Sequence, residues 1–466
     1  MFNYIKEKIQ SITGRVEPSI KKNGLNITFN KNIIPCVFQN WNDEYNWWHP
    51  NTIPLDFIVN GEKRVPATHD FMWFDVGTIR DDETRDNKWF TASASKRELL
   101  SEHPNVKFIK FSDIGDQKYV FPIFMPSNSY FKYYQNIAFK YVDSKILQDI
   151  RNKKAIMMIM CPSEGASGTE QSINDFNILN QWCKEYKLPK ESVYYLHGNL
   201  KVSDHDKNFN YVPMDSFPGW VDYSANSIIP FKPESDKNLF LCYNRRPHFH
   251  RIITVCELMR NGLTDRGIYS FGQRDNKPLM NLESFLKNNY SSELSVEFSK
   301  LSQKSYVEID IDLLKNNPAN LVVPNHYKKT FVSLITETLT SDKTIFFSEK
   351  IYKSIAVGHP FLVVSSPGFL KELRNRGYKT FDKWFDESYD DLPKMEDRVF
   401  AVVKEIKRLS TLSVDELASI REEMKSVLQH NQDLFFEIKR TQFNDKIPDS
   451  YMFNLIKKIW DKSNND

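Results

Sequence analysis

Apolar positions along the chain change period several times, and the changes mark out its elements. Ala155 to Cys161 is an unbroken apolar run, the pattern of a strand buried on both faces. A turn of small residues follows, Pro162-Ser163-Glu164-Gly165-Ala166-Ser167-Gly168. Helical period then runs from about Thr169 to Tyr186, and a second strand from Val193 to Leu196 ends at His197-Gly198-Asn199. Strand, small turn, helix and strand make the βαβ rhythm of a doubly wound sheet, whose ligand chemistry gathers at the carboxyl ends of the strands. Val106 to Phe111 reads as an earlier strand and Tyr130 to Ile150 as a helix. Residues 1 to about 100 lack this rhythm. Their turn clusters, Trp41, Trp47, Trp48, Trp73 and Trp89, and the acidic segment Asp81 to Asp86 predict an irregular or β-rich opening, with short strands such as Leu25 to Phe29 and Leu55 to Val59.

The rhythm restarts beyond Ile229-Pro230-Phe231-Lys232-Pro233, which reads as a linker. Asn238 to Cys242 predicts a buried strand, and Tyr243-Asn244-Arg245-Arg246-Pro247 a turn. From His248 to Arg260 the residues Ile252, Val255, Cys256 and Met259 give a helix its inward stripe, and Asn261-Gly262 stops it. The strand Gly267 to Phe271 ends at Gly272, and residues 273 to about 320 read as an insertion. The tail predicts helices over about Glu396 to Leu409, Val414 to Lys439 and Tyr451 to Trp460. With 466 residues the chain exceeds one ordinary core. The expected division is residues 1–230, residues 231–435, and a last helix within 436–466 that crosses back to the first domain.

The most specific stretch runs from Thr336 to Val364. Ile335-Thr336-Glu337-Thr338 reads as a strand edge carrying a carboxylate. Ser348 is a natural N-cap, Gly358 a natural C′ residue and Pro360 a block to further helix. Glu349 and Lys350 therefore fall in a first helical turn, beside backbone N–H groups without intrahelical partners. Such a turn favours phosphate, Lys350 adds a mobile positive charge, and Glu349 can accept both hydroxyls of a ribose. Acids are also enriched at helix starts for the dipole alone. Arg245 and Arg246, just after a buried strand, can hold a pyrophosphate bidentately and neutralise charge on a leaving group.

This set resembles the donor-binding half of GT-B glycosyltransferases, most specifically the alpha-1,3-fucosyltransferase type. There a strand ending in a Glu-containing motif precedes a Thr-Glu-Lys helix start, an Ala-Gly-x-Pro stop and a Val-rich strand. Here Ile335-Thr336-Glu337-Thr338, Ser348-Glu349-Lys350 and Ala356-Val357-Gly358-His359-Pro360 stand for the first three. The family's usual Phe-Glu-Asn-Ser wording is absent, so no particular sugar is implied. Continued through Pro367 to Leu370, Lys379 to Asp382 and Asp386 to Asp390, the block also resembles glycosyltransferase-like proteins of tailed phages. The resemblance spans roughly residues 235 to 395.

It implies an α/β chain of two Rossmann-like domains with an interdomain cleft and a C-terminal helical tail. The implied reaction is an inverting transfer from a nucleotide sugar, without a metal or other cofactor. The expected donor set is Arg245, Arg246, Gly272, Glu337, Thr338, Ser348, Glu349 and Lys350, with Arg245 and Lys350 also stabilising the leaving group. An inverting transfer needs a base for the acceptor hydroxyl. Glu164, beyond the most buried-looking strand of the first half, is the first candidate, ahead of His197 and Asp204. The phage likeness raises a modified DNA base, such as hydroxymethylcytosine, as acceptor. A flipped base needs an aromatic, basic surface, which Tyr130-Phe131-Lys132-Tyr133-Tyr134 and Lys140-Tyr141 offer, with Tyr133, Tyr134 and His197 as expected contacts. The same stretch also reads as an amphipathic helix face. A glycan or protein acceptor, and a non-catalytic binding or virion-associated protein that keeps the fold, are the alternatives.

Composition narrows this little. A formal net charge of +3 is too balanced to mark a nucleic-acid binder by charge alone. Aromatic residues, at 14%, are numerous enough to serve as stacking surfaces for sugars or bases, although AT-rich coding produces the same excess. Five cysteines, Cys36, Cys161, Cys183, Cys242 and Cys256, sit apart and mostly in apolar runs, as reduced core thiols do. No run approaches the roughly 18 apolar residues of a membrane span, and the first residues lack a signal peptide's apolar core, so the expectation is a cytoplasmic protein, in the host if phage-encoded. Asp310-Ile311-Asp312 matches an Asp-x-Asp metal pattern, but Tyr306-Val307-Glu308-Ile309 before it makes a half-exposed alternating strand the simpler account.

Overall fold

Unbroken apolar runs become the interior strands of two parallel sheets. The computed structural model describes residues 33–38, 58–59, 62–63, 103–111, 114–124, 142–161, 170–201, 208–215, 217–225, 227–244, 248–271, 292–302, 322–443 and 450–465. In the first half lie β1 (Ile34–Phe38), a short antiparallel pair β2 (Ile58–Val59) and β3 (Glu62–Lys63), β4 (Val106–Lys110) and β5 (Tyr119–Phe124). They are followed by helix α1 (Ser144–Arg151), β6 (Ala155–Cys161), α2 (Glu170–Glu185), β7 (Val193–His197) and β8 (Asn210–Pro213). The larger sheet has the order β4-β1-β5-β6-β7-β8, parallel throughout.

The second half runs β9 (Phe240–Cys242), α3 (Phe249–Arg260), β10 (Gly267–Tyr269), α4 (Ser292–Ser302), α5 (Pro324–Lys329), β11 (Val332–Thr336), α6 (Glu349–Ala356) and β12 (Phe361–Val364). Helices α7 (Phe369–Asn375), α8 (Met395–Leu409), α9 (Val414–Glu423), α10 (Lys425–Gln442) and α11 (Ser450–Asn465) complete the chain. Its sheet has the order β10-β9-β11-β12, again parallel. The winding reverses at β9, which has β10 on one side and β11 on the other. The carboxyl ends of β9 and β11 are therefore the topological switch point, where such sheets ordinarily bind ligands.

Each sheet has its own apolar core. Tyr119, Val120, Ile156 to Met160 and Val193 to Leu196 pack with Met452, Phe453, Ile456 and Ile459 of α11. The second core extends from Leu200 to Phe435 and takes in Phe217, Val221 and Ile229, so it begins ahead of the Pro230 linker. The halves also meet at Asp215. It accepts a hydrogen bond from the Tyr352 hydroxyl of α6, lies 3.5 Å from Arg376 Nη1 beyond α7, and gives its own N–H to the Tyr451 hydroxyl of α11 at 2.6 Å. Burial raises the Asp215 carboxyl, and the charge of Arg376 acts against the shift.

Several elements depart from expectation. The stretch read as one helix from Val414 is two, because the chain turns at Met424 while keeping right-handed helical angles, φ −74° and ψ −10°. No breaker residue marks that joint. Strand β5 carries Pro122 in mid-sheet, a position at which proline ordinarily argues against a strand. It is tolerated because β5 pairs with β1 only at Val120. Residues 273–320, read as an insertion, contain α4, whose Leu294, Phe298 and Leu301 join the second core. Among the described residues no helix is long and apolar enough to cross a membrane.

Candidate functional site

Helix α6 starts as its sequence dictates. Ser348 is the N-cap, extended at φ −99° and ψ 178°, and its Oγ accepts the Lys350 N–H at 3.2 Å. At the other end Gly358 takes a left-handed φ of +64°, and a Cβ there would meet Ile228 Cγ1 at 2.8 Å, so glycine is required twice over.

Glu337 follows β11 directly and is wholly buried. Its Oε2 accepts the Ser348 hydroxyl at 2.6 Å and the Thr338 N–H at 3.1 Å, and its Oε1 accepts the Ser348 N–H at 3.3 Å. The Glu337 carbonyl accepts His250 Nε2–H at 2.7 Å. A carbonyl cannot donate, so the His250 proton sits on Nε2, and burial pushes this histidine well below its ordinary range, leaving it neutral. Arg251 Nη2 reaches the carbonyls of Thr336 and Glu337 at 3.4 and 3.5 Å. The first turns of α3 and α6 thus converge on one residue at the end of β11.

The neighbouring strand ends are laced to it. Asn244, two residues past β9, accepts the Thr336 hydroxyl on Oδ1 at 2.6 Å and gives its N–H to Ser270 Oγ, past β10, at 3.1 Å. Lys350 is the half-buried cation over this assembly. Its Nζ lies 3.1 Å from Glu349 Oε1, 3.1 Å from Ser348 Oγ, 3.3 Å from Thr338 Oγ1 and 4.0 Å from Glu337 Oε2.

The two carboxyls flanking this ammonium differ in tendency. Burial raises Glu337, with the Lys350 charge and the Ser348 hydroxyl opposing it. Burial also disfavours the Glu349 carboxylate, but the charges of Lys350 and Lys353 and the hydrogen bonds that the carboxylate accepts hold that carboxyl below its usual range. Lys353, a turn further along α6, is pushed down to about 8 by burial, with Glu349 countering. Environment separates two chemically alike groups, a pattern common where ligands are bound or protons moved.

Of the residues expected from sequence, Glu337, Thr338, Ser348, Glu349 and Lys350 come together here. Arg245, Arg246 and Gly272 lie outside the described residues, although Asn244, Ser270 and Phe271 beside them in the chain stand at this edge. Glu164, Asp204, Tyr133, Tyr134, Asp310 and Asp312 also lie outside them. His197 ends β7 and is buried; its Nδ1 accepts the Asn199 N–H at 3.0 Å, and burial pushes the ring down to about 3, so it is neutral. His250 is buried and ties α3 to β11. Asn244, Ser270 and Arg251 escaped sequence reading, although the positions of Asn244 and Ser270 just past strand ends were an available signal. No protein-family model matches the chain, and no curated protein matches it.

Proposed function

We propose that the chain is a glycosyltransferase that binds a nucleotide sugar at the carboxyl edge of the second sheet. The observation carrying this reading is the convergence of the α3 and α6 first turns on Glu337 at the β9–β11 switch point, with Lys350 half-buried above it. Lys350 and the positive end of the α6 dipole hold the diphosphate, and Glu349 takes the ribose hydroxyls. Binding exchanges partners: ribose hydroxyls replace Lys350 as donors to Glu349, and phosphate oxygens replace Glu349 as acceptors from Lys350. In the transfer, the bond between the anomeric carbon and the diphosphate oxygen breaks as the acceptor oxygen bonds to that carbon. The acceptor's proton passes to a base, for which Glu164 is proposed from its place after β6. Negative charge grows on the leaving diphosphate, where Lys350, the helix dipole and Arg245 and Arg246, the next residues in the chain after Asn244, are proposed to stabilise it. The acceptor is a modified DNA base or a glycan.

Thermal unfolding with a panel of nucleoside diphosphates and nucleotide sugars, in EDTA, tests the reading. A matching ligand at a hundred times its Kd adds about 2.7 kcal/mol to stability. For a domain of about 200 residues this raises Tm by roughly 5 to 10 °C. A panel in which no member raises Tm overturns the assignment.

A further inference from the structure

The segment that leads into Ser348 is tied to the first sheet through the buried Asn199 side chain and the two residues after it. Asn199, two residues beyond β7, accepts the N–H of Ile345 on Oδ1 at 3.1 Å and gives Nδ2–H to the carbonyl of Lys343 at 3.2 Å. The adjacent Leu200 N–H donates to the Ile345 carbonyl at 2.7 Å, and Lys201 Nζ donates to the Asp342 carbonyl. Asn199 is itself held. Its N–H goes to His197 Nδ1, its carbonyl accepts the Tyr211 hydroxyl, and its Oδ1 also accepts the Lys201 N–H at 2.9 Å.

From Ile345 to Ser348 the chain has little room to adjust, since all four residues are buried. Phe346 packs edge-on against Phe217 with ring centroids 4.9 Å apart, and Phe347 against Phe369 at 4.7 Å. A displacement at Ile345 is therefore passed to the Ser348 cap and, through Ser348 Oγ, to Lys350.

We infer that Asn199 is a positioning residue: the carboxyl edge of the first sheet sets, through Asn199 and Ile345, where the Ser348 hydroxyl and the Lys350 ammonium stand. This rests on the donor reading for its ligand, but the tie itself can be measured without one. It also places the acceptor-side sheet in register with the donor helix, so a movement of one half is felt at the phosphate site. The titratable and charged side chains nearest this tie are His197, Tyr211, Lys201, Asp342 and Lys343.

The test compares full-length wild type with Asn199→Ala and Asn199→Asp. Hydrogen exchange of Asn199→Ala is expected to speed up roughly tenfold at the amides from Ile345 to Lys350, while β9 and β11 keep wild-type rates. Titration with the nucleoside diphosphate that most stabilises the wild type should show about tenfold weaker binding. Asn199→Asp supplies the readout that a purely structural role would not move. When protonated, its carboxyl donates to the Lys343 carbonyl and restores affinity; when ionised, it repels that carbonyl, so the affinity ratio to wild type falls as pH rises. Should Asn199→Ala not fold, the pH series of Asn199→Asp decides. Wild-type exchange in both variants overturns the inference. So does a pH-independent wild-type affinity in Asn199→Asp. If the wild type binds no nucleoside diphosphate, the donor reading fails, and exchange alone then decides the positioning role.

Discussion

Replacing Arg398 by methionine is expected to remove about 3 kcal/mol of stability, a drop in Tm of roughly 6 to 12 °C. Arg398 projects from α8, is almost wholly buried, and meets only carbonyls at hydrogen-bonding distance among the described residues. Its Nε donates to Ser365 at 2.7 Å, Nη1 to Leu392 and Pro393 at 2.5 and 3.0 Å, and Nη2 to Thr340 at 2.7 Å. Methionine keeps much of the stem's volume but donates nothing, so four carbonyls lose a donor. An unsatisfied buried group costs about 1 to 3 kcal/mol, and four such losses do not simply add. Relief of the arginine's own burial, which lowers its pKa, offsets part of the total. Thr340 lies between β11 and Ser348 and Ser365 follows β12, so donor affinity should weaken in the same variant. Calorimetric unfolding is the check, and a Tm within about 1 °C of wild type would show that the brace carries no weight.

Lys350→Ala should weaken nucleoside diphosphate binding by about ten- to a hundredfold, the 1.5 to 3 kcal/mol of one charged hydrogen bond to phosphate. It should also change how stability depends on pH. Lys350 opposes the burial that raises Glu337, so without it the folded-state pKa of Glu337 rises further. For an acid whose folded pKa exceeds its unfolded value, the associated stability is complete below the unfolded pKa. It is lost as pH rises through the folded one. The variant should therefore lose more stability than wild type between about pH 4.5 and neutrality, as urea unfolding across that range would reveal. Parallel stability curves would mean that Lys350 does not hold the Glu337 charge.

Much of this edge was legible because its signals are local. Ser348, Gly358 and Pro360 each state a backbone preference within a few residues, and the apolar runs at β6, β7, β11 and β12 need no partner to be recognised. What stayed hidden depends on distant pairing. Thr336 meets Asn244 across 92 residues and His250 meets Glu337 across 87, and periodicity contains nothing about such meetings. The Asn199 tie spans 146 residues and is made by a side chain that reads as an ordinary turn asparagine. Strand β5 was concealed by Pro122, whose missing N–H matters only if the partner strand is known. The joint at Met424 was concealed because a turn that keeps helical angles leaves the apolar period nearly intact.

The central claim is a phosphate site at the start of α6, and calorimetric titration in EDTA tests it most directly. Wild-type protein is titrated with the nucleoside diphosphate that gives the largest thermal shift, beside Lys350→Ala. The account predicts saturable one-to-one binding by the wild type, and a Kd about ten- to a hundredfold higher in the variant. Equal affinity in the two proteins would contradict it.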